Sequence, residues 1–228
     1  MLSQLSNFKY IDRGSQHTIA LIPGWASDQR IFQVLNLNFN YLIPLVSSFS
    51  DFAPKLLASL KGKGLQKISL LGWSLGAFLA ASFSVKFPQF IDELILIGVR
   101  RKYSLLELSQ VRTFLQRDKK AYLYKFYCRC FFCKEKMAWF KENLMQSYFT
   151  DFGLESLLSG LDYLEKAALD LEGLRKVGKV KIIHGQNDEI APLEEAEAVK
   201  QNLPEAEITL VKNCGHAVFL EDDIGKYI

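Results

Sequence analysis

The chain predicts an α/β fold, a mostly parallel sheet with helices on both faces and a helical cap inserted into it. Three observations predict this. Short apolar runs rich in β-branched residues recur without strict alternation, as strands buried on both faces require. Helical patterns stand between those runs. One long stretch, residues 100–176, breaks the alternation with helical periodicity, many aromatics and no strand-like run.

Taken in order, "FKYIDRG" predicts an antiparallel edge strand at the start. "HTIALIP" is the first buried run, closed by Pro23-Gly24. "SDQRIFQVLNL" predicts a helix and leads to the second run, "NYLIPLV". "DFAPKLLASLKGKG" is the next helix and "KISLLGW" the third run. "SLGAFLAASFSVKFP" predicts an apolar helix before the fourth run, "IDELILIGV". The insertion follows. "KVKIIHGQ" and "AEITLVKN" close the set, with a helix over "PLEEAEAVKQNLP" between them. The expected division is a core of residues 1–99 and 177–228 with a cap of residues 100–176. An insertion there lies over the carboxyl ends of the strands, where open α/β sheets place their ligands.

A chain of 228 residues suits one such domain with its cap. Its longest apolar runs, "LLGW" and "LILIGV", are far short of the roughly 20 residues of a membrane span. "MLSQLSNFKYIDRGSQ" lacks the basic start and apolar stretch of a leader, which predicts a cytoplasmic protein. Of four cysteines, Cys128, Cys130 and Cys133 crowd together and Cys214 stands apart. A structural zinc site usually wants two separated pairs, so these read as thiols of an aromatic helix. The net charge of +3 is too small to imply nucleic acid. Its distribution says more. Residues 99–150 hold 12 Lys/Arg against 4 Asp/Glu, so a basic segment sits on an otherwise acidic chain. Such asymmetry points to a partner.

The chemistry centres on "LLGWSLGAFLA", residues 70–80. A G-x-S-x-G pattern between a strand and an apolar helix fits a nucleophile elbow. Ser74 then stands at a strained turn, and Gly72 and Gly76 are small because other chain approaches closely. A serine hydroxyl needs a base, and the base needs an orienting carboxylate. Three histidines are available. His17 precedes the first buried strand, at the wrong end, and His184 reads as a packed or hydrogen-bonded residue. His216, in "KNCGHAVFL", follows the last strand on a glycine-bearing loop and is the candidate base. Asp188 in "HGQNDEIAP" is the candidate acid, with Asp92 and Asp170 as runners-up. Glu189 is expected to point away if Asp188 points in. The chain order serine, aspartate, histidine is that of one fold type. An oxyanion hole needs two backbone N–H groups. Leu75 supplies one and Trp25 is the expected second, and the side chains of Trp25 and Trp73 are expected to wall the substrate pocket.

With these residues in place the sequence resembles the α/β-hydrolase superfamily over nearly its whole length. Within it, "GWSLG", the early "PGW" and the late "CGHAVF" are similar to the pimeloyl-[acyl-carrier protein] methyl ester esterases of biotin synthesis. The resemblance implies a serine esterase with Ser74 as nucleophile, Asp188 as acid and His216 as base. It implies oxyanion donors at Trp25 and Leu75, and no metal or organic cofactor. It also implies an acidic acyl-carrier protein as partner. A basic cap bearing Arg100, Arg101, Arg112, Arg117, Lys119, Lys120, Lys125 and Arg129 is expected to attract it. A solvated helix face, and more remotely attachment to a membrane surface, are the alternatives for that segment. The sequence departs from the family in three ways. Pro23-Gly24 replaces the usual His-Gly. "PLVSSFSDF" stands where a glycine-rich turn is expected. The helix after His216 is very short, as in a trimmed member of the fold. Two other functions stay open: the same triad acting on another small ester or a carbon–carbon bond, and a catalytically silent binding module.

Overall fold

The computed structural model describes residues 7–45 and 49–228. One seven-stranded sheet runs in the order β1-β3-β2-β4-β5-β6-β7. The edge strand β1 (Phe8–Ile11) is antiparallel to β3 (Asn40–Pro44). The remaining strands pair in parallel: β2 (Thr18–Ile22), β4 (Ile68–Trp73), β5 (Ile91–Ile97), β6 (Val180–Gly185) and β7 (Glu207–Val211). These are the six predicted runs and the predicted edge strand. Every residue of β2 and β4 is buried, which is why their sequences are continuous apolar runs. From β2 the chain goes outward to β3 and then returns to β4 on β2's other side. That reversal opens a crevice at the carboxyl ends of β2 and β4.

Helix α1 (Phe52–Gly62) follows β3, and α2 (Leu75–Lys86) follows β4 and packs against β2, β4 and β5. α2 is buried on nearly every side, so its sequence is apolar all round. The insertion between β5 and β6 is helical: α3 (Leu105–Arg117), α4 (Lys119–Arg129), α5 (Lys134–Phe140), α6 (Gln146–Asp151), α7 (Leu154–Lys166) and the short α8 (Leu171–Leu174). A π-helical turn, Lys141–Met145, joins α5 to α6. Asp118 stops α3 and caps α4, its carboxylate accepting from the Ala121 N–H. The neck of the insertion is closed by a bridge between Lys102 and Ala168. α9 (Leu193–Asn202) packs on β6, and α10 (Val218–Glu221) follows the last loop.

The expected helix over "SDQRIFQVLNL" is reduced to one 3₁₀ turn, Gln29–Phe32. The Tyr41 hydroxyl competes for the rest of its backbone: it accepts from the Leu37 N–H and donates to the Leu35 carbonyl. The four cysteines are free thiols, Cys128 within α4, Cys130 at its end and Cys133 before α5. No described helix is long and apolar enough to cross a membrane. The start of the stretch read as leaderless, residues 1–6, lies outside the described residues, as do residues 46–48 of the "PLVSSFSDF" departure.

Candidate active site

Four loops meet at the carboxyl ends of the strands. The first is the turn from β4 into α2. Ser74 stands there with φ 55° and ψ −117°, a left-handed conformation that a side chain rarely adopts. Its N–H is held by the Ile97 carbonyl at 2.9 Å. The flanking glycines are forced by close approach. A Cβ on Gly72 would lie 2.4 Å from the Gly76 carbonyl oxygen, and one on Gly76 would lie 2.3 Å from that of Ile22. Leu75 opens α2, so its N–H is among the donors a helix leaves without an intrahelical partner.

The second loop, Pro23–Ala26, lies against the serine: a Cβ on Gly24 would come within 3.1 Å of Ser74 Cβ. Trp25 and Ser74 line one cavity. The third loop, after β6, carries Asp188, and the fourth, after β7, carries His216. Both side chains are fully buried, and Asp188 Oδ2 lies 2.7 Å from His216 Nδ1. Asp188 Oδ1 accepts from the N–H groups of Ile190 and Ala191, each at 2.8 Å. Burial pushes the Asp188 carboxyl up. His216, then His184 and the Ala191 N–H, outweigh it and hold the group below the usual carboxylate range. An ionised Asp188 fixes the proton on Nδ1 and leaves Nε2 as an acceptor. That buried Nε2 has no hydrogen-bond partner in the structure. The His216 ring is seated on the turn after β5, where a Cβ on Gly98 would lie 2.6 Å from its Cε1. Ile97, the residue before that glycine, is the one that holds the Ser74 N–H.

The predicted acid and base are thus directly paired, and Ser74 is brought to the same end of the sheet. Asp92 is exposed, and Asp170 caps α8 through the Gly173 N–H, so neither runner-up is near. Glu189 points outward to Arg129, as expected. His184 is buried, with Nε2 2.9 Å from the Ala191 carbonyl oxygen and 3.6 Å from Asp188 Oδ2. Trp73 was expected to wall the substrate pocket, but it is not among the residues that line the Ser74 cavity. Its indole N–H donates to the His216 carbonyl at 2.9 Å and its ring packs on Phe219, so it fixes the histidine loop.

Two contributors were not read from the sequence. Tyr103 lines the cavity beside Ser74, with the Arg100 guanidinium 4.4 Å above its ring. Burial, against Arg100 and the Ser74 hydroxyl, pushes its phenol up to about 12, so it stays protonated at neutral pH. The signal available was an aromatic soon after the fourth run. The second is Glu221, whose carboxylate accepts from the N–H groups of Phe132 and Cys133 in the cap and of Gly215 beside the base. An acid closing the apolar run "AVFL" was its only trace.

The basic residues divide into two sets. Arg100 pairs with Glu107, Arg101 with Glu195, Arg112 with Asp162 and Glu165, and Arg129 with Glu189. Lys119 Nζ caps the Phe149 and Phe152 carbonyls. Among the described residues, Arg117, Lys120 and Lys125 are in no ion pair, and Lys120 lies over the Phe149 ring. Arg117, Lys125 and Arg129 rim a groove between α3 and α4. Phe114, Tyr122 and Phe126 line both that groove and the Ser74 cavity.

Residues 26–223 match the family model described as the alpha/beta hydrolase fold, and the chain belongs to that family. It is 29% identical over 168 residues to a pimeloyl-[acyl-carrier protein] methyl ester esterase of Nitrosomonas europaea, a match covering 68% of this chain and 66% of the relative. A Mycoplasma genitalium relative named for proline iminopeptidase activity is 28% identical over 215 residues, covering 76% of this chain and 68% of its own. Among solved structures, a hydrolase of Oleispira antarctica superposes with a TM-score of 0.80 at 13% identity, over 97% of this chain and 92% of that one. An esterase of Exiguobacterium antarcticum gives 0.78 at 19% identity, over 94% and 89%. At such identities the structures speak for the fold alone.

Proposed function

We propose that the chain is a serine esterase that hydrolyses the methyl ester of a pimeloyl group carried by acyl-carrier protein. The observation that carries the esterase reading is the buried Asp188–His216 pair, whose Nε2 is unpartnered at the end of the sheet where Ser74 sits on a strained turn. In this reading the Ser74 hydroxyl attacks the ester carbonyl carbon and gives its proton to His216 Nε2. The oxyanion is held by the N–H groups of Trp25 and Leu75. Collapse expels methanol, which takes the proton from His216. A water then attacks the acyl-enzyme, again through His216, and frees the acid and Ser74. Asp188 stays ionised throughout and stabilises the imidazolium.

The carrier substrate is supported by the Nitrosomonas europaea relative and by a basic-rimmed groove that shares Phe114, Tyr122 and Phe126 with the Ser74 cavity. Arg117 and Lys125 on that rim, and the neighbouring Lys120, are in no ion pair among the described residues, so they are the docking contacts this reading favours. The test is hydrolysis of the carrier-bound methyl ester beside a short free ester, by wild type and Ser74→Ala. Serine-dependent cleavage of the carrier substrate at low enzyme concentration is expected. Serine-dependent cleavage of the free ester alone would reject the carrier role and keep the chemistry. A second reading, release of an N-terminal proline, is favoured only by the Mycoplasma genitalium relative, and a prolyl arylamide in the same panel separates it.

A further inference from the structure

Trp25 lines two cavities. One, about 180 Å³, contains Ser74 and Tyr103. The other, about 90 Å³, lies beyond the Pro23–Ala26 loop and is lined by the apolar Leu45, Phe49, Phe52 and Phe152 and, on its polar side, by Asp28, Gln29 and Ser156 among others. The indole between them is only 6% exposed and is fixed on several sides. Its N–H donates to the Leu157 carbonyl of α7 at 2.9 Å. Its ring meets Phe126 edge-on at 4.9 Å and Tyr122 at 6.4 Å. Its Cδ1 fills a notch in α7, where a Cβ on Gly160 would lie 2.6 Å away. Glycine inside a helix costs roughly 1 kcal/mol relative to alanine, and the seated indole gives that glycine its physical reason.

We infer that Trp25 is a partition that sets the length of aliphatic chain the site accepts, and that the second cavity is a latent extension of the substrate pocket. The inference concerns the pocket of the serine-esterase reading and rests on it for its enzymatic meaning. A cavity of about 150 Å³ takes a benzene-sized guest, so the Ser74 cavity alone suits a chain of about six carbons. A longer chain meets the indole. Removing the indole joins the two spaces, and each further methylene then buried favours binding about fourfold. Two or three methylenes give a gain on the order of tenfold or more.

The test is calorimetric titration of the whole protein with 1-hexanol and 1-decanol, which needs no reactive serine. Hydrolysis of butanoate and decanoate p-nitrophenyl esters runs in parallel. Trp25→Ala is expected to raise the decanol-to-hexanol affinity ratio at least tenfold, with Trp25→Phe in between. Adding Ser156→Phe to Trp25→Ala, which places a ring in the second cavity from an exposed position of α7, is expected to reverse the gain. A loosened cap would weaken both alcohols together and leave the ratio still. Should Trp25→Ala fail to fold, Ser156→Phe alone decides. Unchanged hexanol affinity supports a closed partition, and a clear loss shows that the cavities already communicate and overturns it. An unchanged ratio in folded Trp25→Ala overturns it too. Ester inertness with the ratio shifted would sink the esterase reading and leave the partition standing.

Discussion

Ser74 and the two glycines beside it show what a single residue is asked to do. The backbone turns so tightly that α2 presses its first turn against the end of β2. Gly76→Ala is therefore expected to cost about 2 kcal/mol or more, because its Cβ would sit 2.3 Å from a backbone oxygen that has nowhere to go. Urea denaturation checks it, and a loss under about 0.5 kcal/mol, the range of an ordinary surface change, would refute it. Asp188 gives a pH prediction. Its carboxyl is held below the ordinary value, so in acid the unfolded chain binds a proton that the folded one does not. The stabilisation is complete above about pH 5, a unit above the unfolded value, and is lost as pH falls through the lower folded value. Asp188→Asn is expected to flatten the decline of unfolding free energy between about pH 5 and pH 3, and parallel curves for the two proteins would count against the ionised pair. The triad candidates were legible because spacing and chain order single them out. Trp73 was misread because position beside a nucleophile does not say which way an indole points.

At the scale of elements, the loops are fastened to the cap by a few polar contacts. Glu221 gathers two N–H groups of the cap and one of the histidine loop on one carboxylate. The Tyr127 hydroxyl donates to the Ala26 carbonyl, and Arg30 joins Asp28 to Asp151 of α6. Glu221→Ala is expected to destabilise by about 2 kcal/mol, since it leaves partly buried donors unpaired. Amide exchange is expected to quicken at Phe132, Cys133 and Gly215 and to stay unchanged in β4, and uniform quickening would mean that Glu221 supports the whole fold instead. The strands were legible from sequence because parallel strands buried on both faces leave continuous apolar runs. The helix expected near residue 30 was not, because a tyrosine hydroxyl from the next strand takes its backbone partners. Cap fastenings of this kind escape periodicity, which reports a buried face and not the partner across it.

For the whole molecule, the sheet supplies a crevice, the insertion roofs it, and charge is left at the mouth. The sequence showed the basic excess of the insertion, while the pairing of Arg100, Arg101, Arg112 and Arg129 with acids depends on side chains distant in sequence. If Arg117, Lys120 and Lys125 steer an acidic carrier, kcat/KM for the carrier-bound ester falls several-fold between about 50 and about 500 mM salt, while the free ester is indifferent. Equal salt response of both substrates would remove the steering role. The central claim is that Ser74 is a nucleophile activated by the Asp188–His216 pair. Its most direct test is labelling of the whole protein with a fluorophosphonate, followed by mass spectrometry of the peptide spanning "GWSLG". One adduct on Ser74 is expected, lost in Ser74→Ala and strongly slowed in His216→Ala. A folded wild type that takes no label, or that is labelled equally after His216→Ala, would contradict it.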